Sequence, residues 1–159
     1  MRSTILTHFL CLLLLLFFSN NIRADEIFVV IGKTSSVEKL TLKQLENIYR
    51  RKTLIGEDGE RWNPINLSAN NPLRIAFAQK IFQQPPEVME AYWNAQYFQG
   101  IMPPYVVNSV EAMLRFVEDT PGTIGYLLPC QVDDRVRVIL KLPVSESLEN
   151  LCKKEANLH

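Results

Sequence analysis

The chain has 159 residues, with 17 Lys and Arg against 17 Asp and Glu, so its formal net charge is zero at neutral pH. A balanced charge gives no general attraction to nucleic acid or to an anionic membrane surface. Hydrophobic residues make up 47% of the sequence, which is enough for one compact domain with a buried core.

The N-terminal segment is typical of a secretory signal peptide. Arg2 gives a positive start, residues 9–18 are an unbroken apolar run, and Ala24 is a small residue before the first acidic one. The run is too short to span a bilayer, which needs roughly 20 residues. We therefore expect residues 1–24 to be removed and residues 25–159 to form a single periplasmic domain; an uncleaved N-terminal anchor is the alternative.

The cysteines agree with an extracytoplasmic location. Cys11 lies inside the apolar run, which leaves Cys130 and Cys152 in the mature chain. In an oxidising periplasm these two could form a disulfide that holds the C-terminal stretch against the domain. Two free thiols, or a bond to another molecule, are the alternatives, because spacing alone does not show whether the Cα atoms come within bonding range.

Two helices have clear start signals. Thr41 and Gln44 have the spacing of a capping box, which predicts a helix over residues 41–50. Asn71 is a good N-cap, and the proline that follows it suits the first helical position, which predicts a second helix over residues 72–82.

Further helices alternate with short strands. Pro86 predicts the start of a third helix ending at Gly100, and Asn108 predicts the cap of a fourth that ends before Pro121. Residues 51–63 are predicted to be a surface loop. Strand candidates rich in β-branched and apolar residues are 27–31, 64–67, 123–128 and 136–140. Strands separated by helices predict an α/β fold with a mixed sheet flanked by helices.

Catalytic residues are scarce. The histidines are His8, in the predicted signal, and His159, the last residue. A histidine base or metal ligand inside the domain is therefore not expected, and a cysteine nucleophile would lack its base. The acidic pairs at residues 57–58, 118–119 and 133–134 fall in predicted loops or helix ends and have no metal-loop spacing. The sequence predicts no enzyme, no metal and no cofactor.

Four segments carry a family resemblance. Residues 40–49 read LTLKQLENIY, 66–77 read NLSANNPLRIAF, 91–100 read AYWNAQYFQG and 121–127 read PGTIGYL. In this order they resemble the phosphate-binding proteins of ATP-driven phosphate importers, most closely the short, single-lobe members of the type II periplasmic binding protein superfamily. The resemblance implies a one-lobe α/β domain that recognises phosphate or a related small anion without catalysis. A periplasmic protein, namely a transporter, sensor or receptor, is a possible further partner. The short apolar run, for its part, predicts no stable membrane anchor.

The candidate ligand residues lie where the second strand meets the second helix. They are Ser68, Asn70, Asn71 and Arg74. The first amide groups of a helix lack internal partners and carry about half a positive charge, so a bound oxyanion would be stabilised there. Arg74 could add a planar bidentate donor. The alternative is that Asn71 simply caps the helix while Arg74 points to water or pairs with a surface carboxylate.

This turn departs from the pattern of full-length phosphate-binding proteins. Those proteins have an arginine followed closely by Ser-Gly-Thr, whereas here Leu67 stands at the arginine position and residues 71–73 replace the triplet. A single lobe also leaves a ligand partly hydrated. A second hypothesis is therefore an interaction or sensory module that kept the fold and lost the solute site. It would dock through the basic cluster at residues 50–52 or through the aromatic stretch 92–105, most of which we expect in the core.

Overall fold

The computed structural model describes residues 25–84, 88–145, 148, 151 and 152. One sheet holds the five strands in the order β3-β2-β4-β1-β5. In chain order the elements are β1 Asp25–Gly32, α1 Leu42–Tyr49, β2 Asn63–Leu67, α2 Pro72–Phe82, α3 Met89–Tyr97, β3 Tyr105–Val107, α4 Val110–Asp119, β4 Thr123–Leu127 and β5 Val136–Val144.

The sheet is mixed. β2 runs parallel to β3 and to β4, whereas β1 is antiparallel to both β4 and β5. The carboxyl ends of β2, β3 and β4 therefore lie at one edge, which we call the carboxyl edge. The end of β1 and the start of β4 lie at the opposite edge, which we call the amino edge. Gly32 accordingly lies near Thr123, because Ile31 pairs with Ile124.

Helices cover both faces of the sheet. On one face, Tyr49 of α1 and Phe77 of α2 contact the Tyr126 ring of β4, and all three side chains are fully buried. On the other face, Gly125 lies so close to α4 that an added Cβ would be 2.9 Å from the Met113 side chain. The predicted α/β class, with a mixed sheet flanked by helices, is confirmed.

The first two helices begin where the sequence predicts. Thr41 forms both bonds of the capping box with Gln44. Asn71 caps α2 through its side chain, with Pro72 at the first helical position. The third helix is described from Met89, since Pro86 lies outside the described residues.

The predicted cap of the fourth helix is wrong. Ser109 rather than Asn108 is the N-cap, because the Ser109 hydroxyl accepts a hydrogen bond from the Ala112 amide. Strand β5 is longer than predicted, and the three-residue edge strand Tyr105–Val107 was not predicted. A strand this short, with two exposed residues, has too little apolar alternation to be recognised in the sequence.

The basic cluster at residues 50–52 is largely satisfied within the protein. Arg50 pairs with Glu46 at 2.9 Å and lies over the rings of Phe82 and Tyr92. The Arg51 guanidinium donates to a backbone carbonyl at 2.8 Å, which leaves Lys52 as the exposed member. A docking surface built on this cluster is therefore not supported.

Cys130 and Cys152 form the predicted disulfide, with their Cα atoms 6.0 Å apart. Leu148, in the segment closed by this bond, is 4% exposed and packs in the core. Its amide donates to the Asp25 carboxylate at the start of β1. The predicted signal peptide, residues 1–24, lies outside the described residues. Among the helices that are described, none has the length and hydropathy to cross a membrane.

Candidate functional site

Side chains, rather than a continuous ladder, join β2 to β4 near the carboxyl edge. The two strands pair directly only at Asn63 with Thr123 and at Pro64 with Ile124. Beyond these pairs the buried Tyr49 hydroxyl lies between the strands, 3.1 Å from the Ile65 carbonyl and 3.2 Å from the Ile124 carbonyl. The end of β2 is thus positioned by a helix side chain.

A second tyrosine continues this arrangement. The Tyr126 hydroxyl accepts a hydrogen bond from the Leu67 amide at 3.1 Å and lies 3.4 Å from Oδ1 of Asn66. Asn66 is 4% exposed, a buried polar side chain in an otherwise apolar strand. The Tyr126 ring stacks on Phe77 of α2 with centroids 3.8 Å apart. Helix α2 and the end of β2 are therefore fixed to the same ring.

The turn between β2 and α2 uses most of its own donors. The Asn71 amide donates to the Ser68 carbonyl, and the Asn71 side chain accepts from the Leu73 amide, both at 2.9 Å. Pro72 has no amide hydrogen. The Arg74 amide is therefore the one first-turn amide that the cap does not use, and it is available to a ligand.

Arg74 is the unusual residue of this turn. Its side chain is half-buried, and Nε and Nη1 are buried without a hydrogen-bond partner. Over the described part of the chain it forms no ion pair with a carboxylate. A buried charge is costly unless it is paired, so this guanidinium is poised to receive an anionic group.

The Arg74 guanidinium also affects the pKa of the Tyr49 and Tyr126 hydroxyls. Burial raises the pKa of Tyr126 well above its usual value, and the positive charge of Arg74 partly opposes that rise. Burial, together with Tyr126, likewise raises the pKa of Tyr49, and Arg74 again opposes it. Both hydroxyls therefore stay protonated across the physiological range and act as neutral hydrogen-bonding groups beside the cation.

The four sequence-predicted ligand residues all lie on this turn. Ser68 and Asn71 are half-buried and Asn70 is exposed. Asn71 caps α2, as the alternative expects. The other half of that alternative differs from the structure, because Nε and Nη1 of Arg74 are buried without a partner. Tyr49, Tyr126 and Asn66 were missed as neighbours of the site. The one available signal was Asn66, a polar residue within a predicted buried strand.

Neither of the two larger described cavities includes this turn. These cavities, of about 430 and 760 Å³, are lined by other residues and include none of the four. Among described residues, no group of three or more His, Cys, Asp or Glu could hold a metal ion. What the turn offers chemically is an unpaired guanidinium, one helix amide and small polar side chains at the carboxyl edge, which is the chemistry of oxyanion recognition.

The fold is similar to that of several solved phosphate-binding proteins. An ABC-type phosphate transport receptor from Vibrio cholerae superposes with a TM-score of 0.60 at 16% identity, over 86% of this chain and 64% of that one. A phosphate ABC transporter substrate-binding protein from Clostridium perfringens, determined with bound phosphate, gives 0.61 at 18% identity, over 84% and 61%. PstS from Borrelia burgdorferi gives 0.57 at 10% identity, over 82% and 62%.

The chain thus spans less than two thirds of the length of each of these three proteins. No protein-family model and no curated protein sequence matches it. The superpositions confirm the fold implied by the four sequence segments. At this level of identity they establish the fold alone.

Proposed function

We propose that this protein is a periplasmic, non-catalytic recognition module for phosphate or a related oxyanion. The ligand would lie at the β2–α2 turn, with Arg74 as the main charged donor and Ser68, Asn70 and Asn71 as polar contacts. The solved proteins with a similar fold include a phosphate transport receptor and a phosphate ABC transporter substrate-binding protein, which supports the class of ligand.

One observation carries the proposal: Nε and Nη1 of Arg74 are buried without a partner beside the first turn of α2. An oxyanion bound there would accept from the guanidinium and from the Arg74 amide, and it would offset the cost of the buried charge. The departure from Ser-Gly-Thr at residues 71–73 removes two hydroxyl donors. Affinity should therefore be lower than in a full-length receptor, and the preferred anion need not be phosphate.

Thermal unfolding with added anions tests the proposal. Phosphate at 100 times its dissociation constant should stabilise the protein by about 2.7 kcal/mol, a shift of several degrees. Arg74→Ala should abolish the shift. Arg61→Ala, which removes an exposed arginine elsewhere, is the matched control and should keep it.

Sulfate at equal ionic strength must accompany phosphate, because sulfate stabilises many proteins through exclusion from their surface. If none of phosphate, sulfate and arsenate shifts the wild type more than it shifts Arg74→Ala, the oxyanion site is contradicted. A shift with sulfate or arsenate that depends on Arg74 would retain the site and assign a different anion.

Processing belongs to the same proposal. We infer that residues 1–24 are a cleaved signal peptide and that residues 25–159 form one domain in the periplasm. The positive start at Arg2, the apolar run of residues 9–18 and the small residue Ala24 support this inference. An intact mass measured on periplasmic material should correspond to a chain that starts at Asp25; a mass that includes residues 1–24 would instead indicate a retained anchor.

A second candidate function is supported by the exposed aromatic surface. Contrary to the expectation that most of the stretch 92–105 packs in the core, large apolar side chains within β3 and in the segment that leads into it are exposed: Tyr97, Phe98, Met102, Tyr105 and Val106. Phe98 is 88% exposed. Exposed aromatic residues at an unpaired strand edge suit a periplasmic adaptor that docks on a transporter, sensor or receptor.

Genes next to this one discriminate the two functions. Permease and ATPase genes would favour transport, whereas a sensor kinase or outer-membrane receptor gene would favour the adaptor.

For an adaptor, the purified periplasmic domain of that partner should bind the wild type and lose binding to Phe98→Ser/Tyr105→Ser. Arg74→Ala should bind it unchanged, which separates the adaptor from the oxyanion site.

A further inference from the structure

A cavity of about 430 Å³ opens at the amino edge of the sheet, opposite the edge that carries Arg74. Its walls come from the end of β1 at Gly32, from the hydroxyl-bearing residues 34–36, and from the carboxyl end of α4 with the start of β4 at residues 117–123. Asp58 and Glu60 complete the lining. The volume falls within the usual range of small-ligand pockets, roughly 300–1,000 Å³.

The lining is acidic and has no basic counterpart. It holds four carboxylates and no Lys, Arg or His: Asp58, Glu60, Glu118 and Asp119. None of these carboxylates forms an ion pair with another described residue. Asp58 accepts hydrogen bonds from the Ser36 hydroxyl at 3.1 Å and from the Glu60 amide at 3.0 Å, which fixes its orientation without neutralising it.

Helix α4 strengthens the negative potential. Its carboxyl end points at the cavity, and a helix carboxyl end carries about half a negative charge. Cations are the residues that stabilise this position, yet the last turn contains Glu118 and Asp119 and no basic residue. The arrangement is electrostatically unfavourable for the isolated domain, and a bound cation would offset that cost.

Thr123 provides a second, independent observation. It is 2% exposed, and its Oγ1 is buried with no hydrogen-bond partner in the structure as described. Side chains two residues apart on a strand share a face, so Thr123 lies on the same face as Gly125, which contacts Met113 of α4. Thr123 also lines the cavity, next to the residues at the carboxyl end of α4.

We propose that this cavity is a binding site for an organic cation, an ammonium or a guanidinium group. Such a group has three to five donors and no acceptor, which matches carboxylates, a buried hydroxyl and the carbonyls of a helix end. A metal ion fits less well, because no group of three or more metal-ligating side chains was found among the described residues. The cation is supplied either by a free amine or by a basic side chain of another protein.

Titration with agmatine, which carries both cationic groups, tests the site by calorimetry and by the NMR shifts of the Gly32 and Thr123 amides. Binding should be saturable at low salt. The double substitution Glu118→Gln/Asp119→Asn should weaken it at least about tenfold, since two charged acceptors are lost. Thr123→Val, which keeps the shape of the side chain, should weaken it about fivefold.

Glu90→Gln/Asp134→Asn is the matched control, because both residues are exposed, lie outside the cavity lining and change the net charge equally. Equal weakening in this control would mean general attraction to a negative protein and would overturn the proposal, as would the absence of saturable binding. Displacement of agmatine by equimolar Ca²⁺ would overturn the organic cation in favour of a metal.

A further titration, with N-acetyl-arginine amide, distinguishes the two sources of the cation. Tighter binding of this blocked residue than of agmatine supports the site and assigns it to a partner's side chain, whereas tighter binding of agmatine supports the site and assigns it to a free amine. Circular dichroism confirms that each variant folds. The phosphate response, which depends on Arg74 at the other edge, should not change in any of these variants.

Discussion

The Tyr126 hydroxyl accepts the Leu67 amide hydrogen at 3.1 Å, beyond the two residue pairs at which β2 and β4 form a ladder. Tyr126→Phe would leave the buried Leu67 amide without its partner. A buried unsatisfied group costs about 1–3 kcal/mol, so the free energy of unfolding should fall by that amount. Urea denaturation at neutral pH measures it.

The matched control for this substitution is Tyr92→Phe. The Tyr92 hydroxyl donates to the Arg50 carbonyl at 2.9 Å in a half-buried position that water can reach. Its loss should lower the free energy of unfolding by less than about 1 kcal/mol. Equal losses in the two variants would show that the Tyr126 hydroxyl is not needed to hold β2 to β4.

Arg74→Met separates binding from folding. Because two guanidinium nitrogens are buried without partners, an apolar side chain of similar length should leave the unliganded free energy of unfolding unchanged or raise it by about 1 kcal/mol. The phosphate response should disappear in the same variant. Thermal and urea unfolding, each with and without phosphate, give both readouts.

Arg137→Met is the comparison for that variant. The Arg137 guanidinium donates to the Ser35 and Val37 carbonyls at 2.8 and 2.7 Å, so its removal should destabilise the protein by about 1–3 kcal/mol. Destabilisation of Arg74→Met to the same extent would mean that Arg74 has a structural partner, and the case for an anion site would lose its main support.

The sequence predicted those features that depend on neighbouring residues. A capping box and an Asn-Pro start are decided within one helical turn, which is why Thr41 and Asn71 were recognised as caps. The predicted cap was one residue before the observed cap, Ser109. Asn108 and Ser109 are both good N-caps, and the position of the preceding strand determines which of them starts the helix.

Features that depend on contacts between distant segments could not be predicted. Arg74 lies near enough to affect the pKa of Tyr49 and Tyr126, which are 25 and 52 positions away in the sequence. The sequence pattern of residues 97–106 resembles a core segment, since it is rich in aromatic and apolar residues. The structure leaves most of its large side chains exposed, and its last residues form β3, the outermost of the described strands.

Acid should weaken the domain through Glu111. The pKa of this carboxyl is lowered from 4.5 to about 2. The larger cause is its hydrogen bond to Arg135 at 2.9 Å, and the smaller is its hydrogen bond to Arg115 at 2.8 Å. A carboxyl with a lowered folded-state pKa stabilises the protein above its unfolded pKa. That contribution is lost as the pH falls from about 4.5 to about 2.

Urea unfolding from pH 6 to pH 2 measures this effect. Glu111→Gln should show a shallower loss of stability over the same window than the wild type, and added salt should reduce the difference because the pair is exposed. Glu90→Gln, which removes an exposed carboxylate without an ion pair to any described residue, should follow the wild-type curve. Identical pH dependence of Glu111→Gln and wild type would rule out this carboxylate as a contributor.

The disulfide should hold the C-terminal segment in place. Cys130 lies just after β4, and its bond to Cys152 closes a loop that contains the core residue Leu148. Closing a loop of this size restricts the unfolded chain, and Cys130→Ser/Cys152→Ser should lower the free energy of unfolding by about 3 kcal/mol. Guanidinium denaturation without reductant measures the loss. Reductant should bring the wild type to the stability of the double variant and leave that variant unchanged; a wild type indifferent to reductant would show that the bond adds nothing to stability.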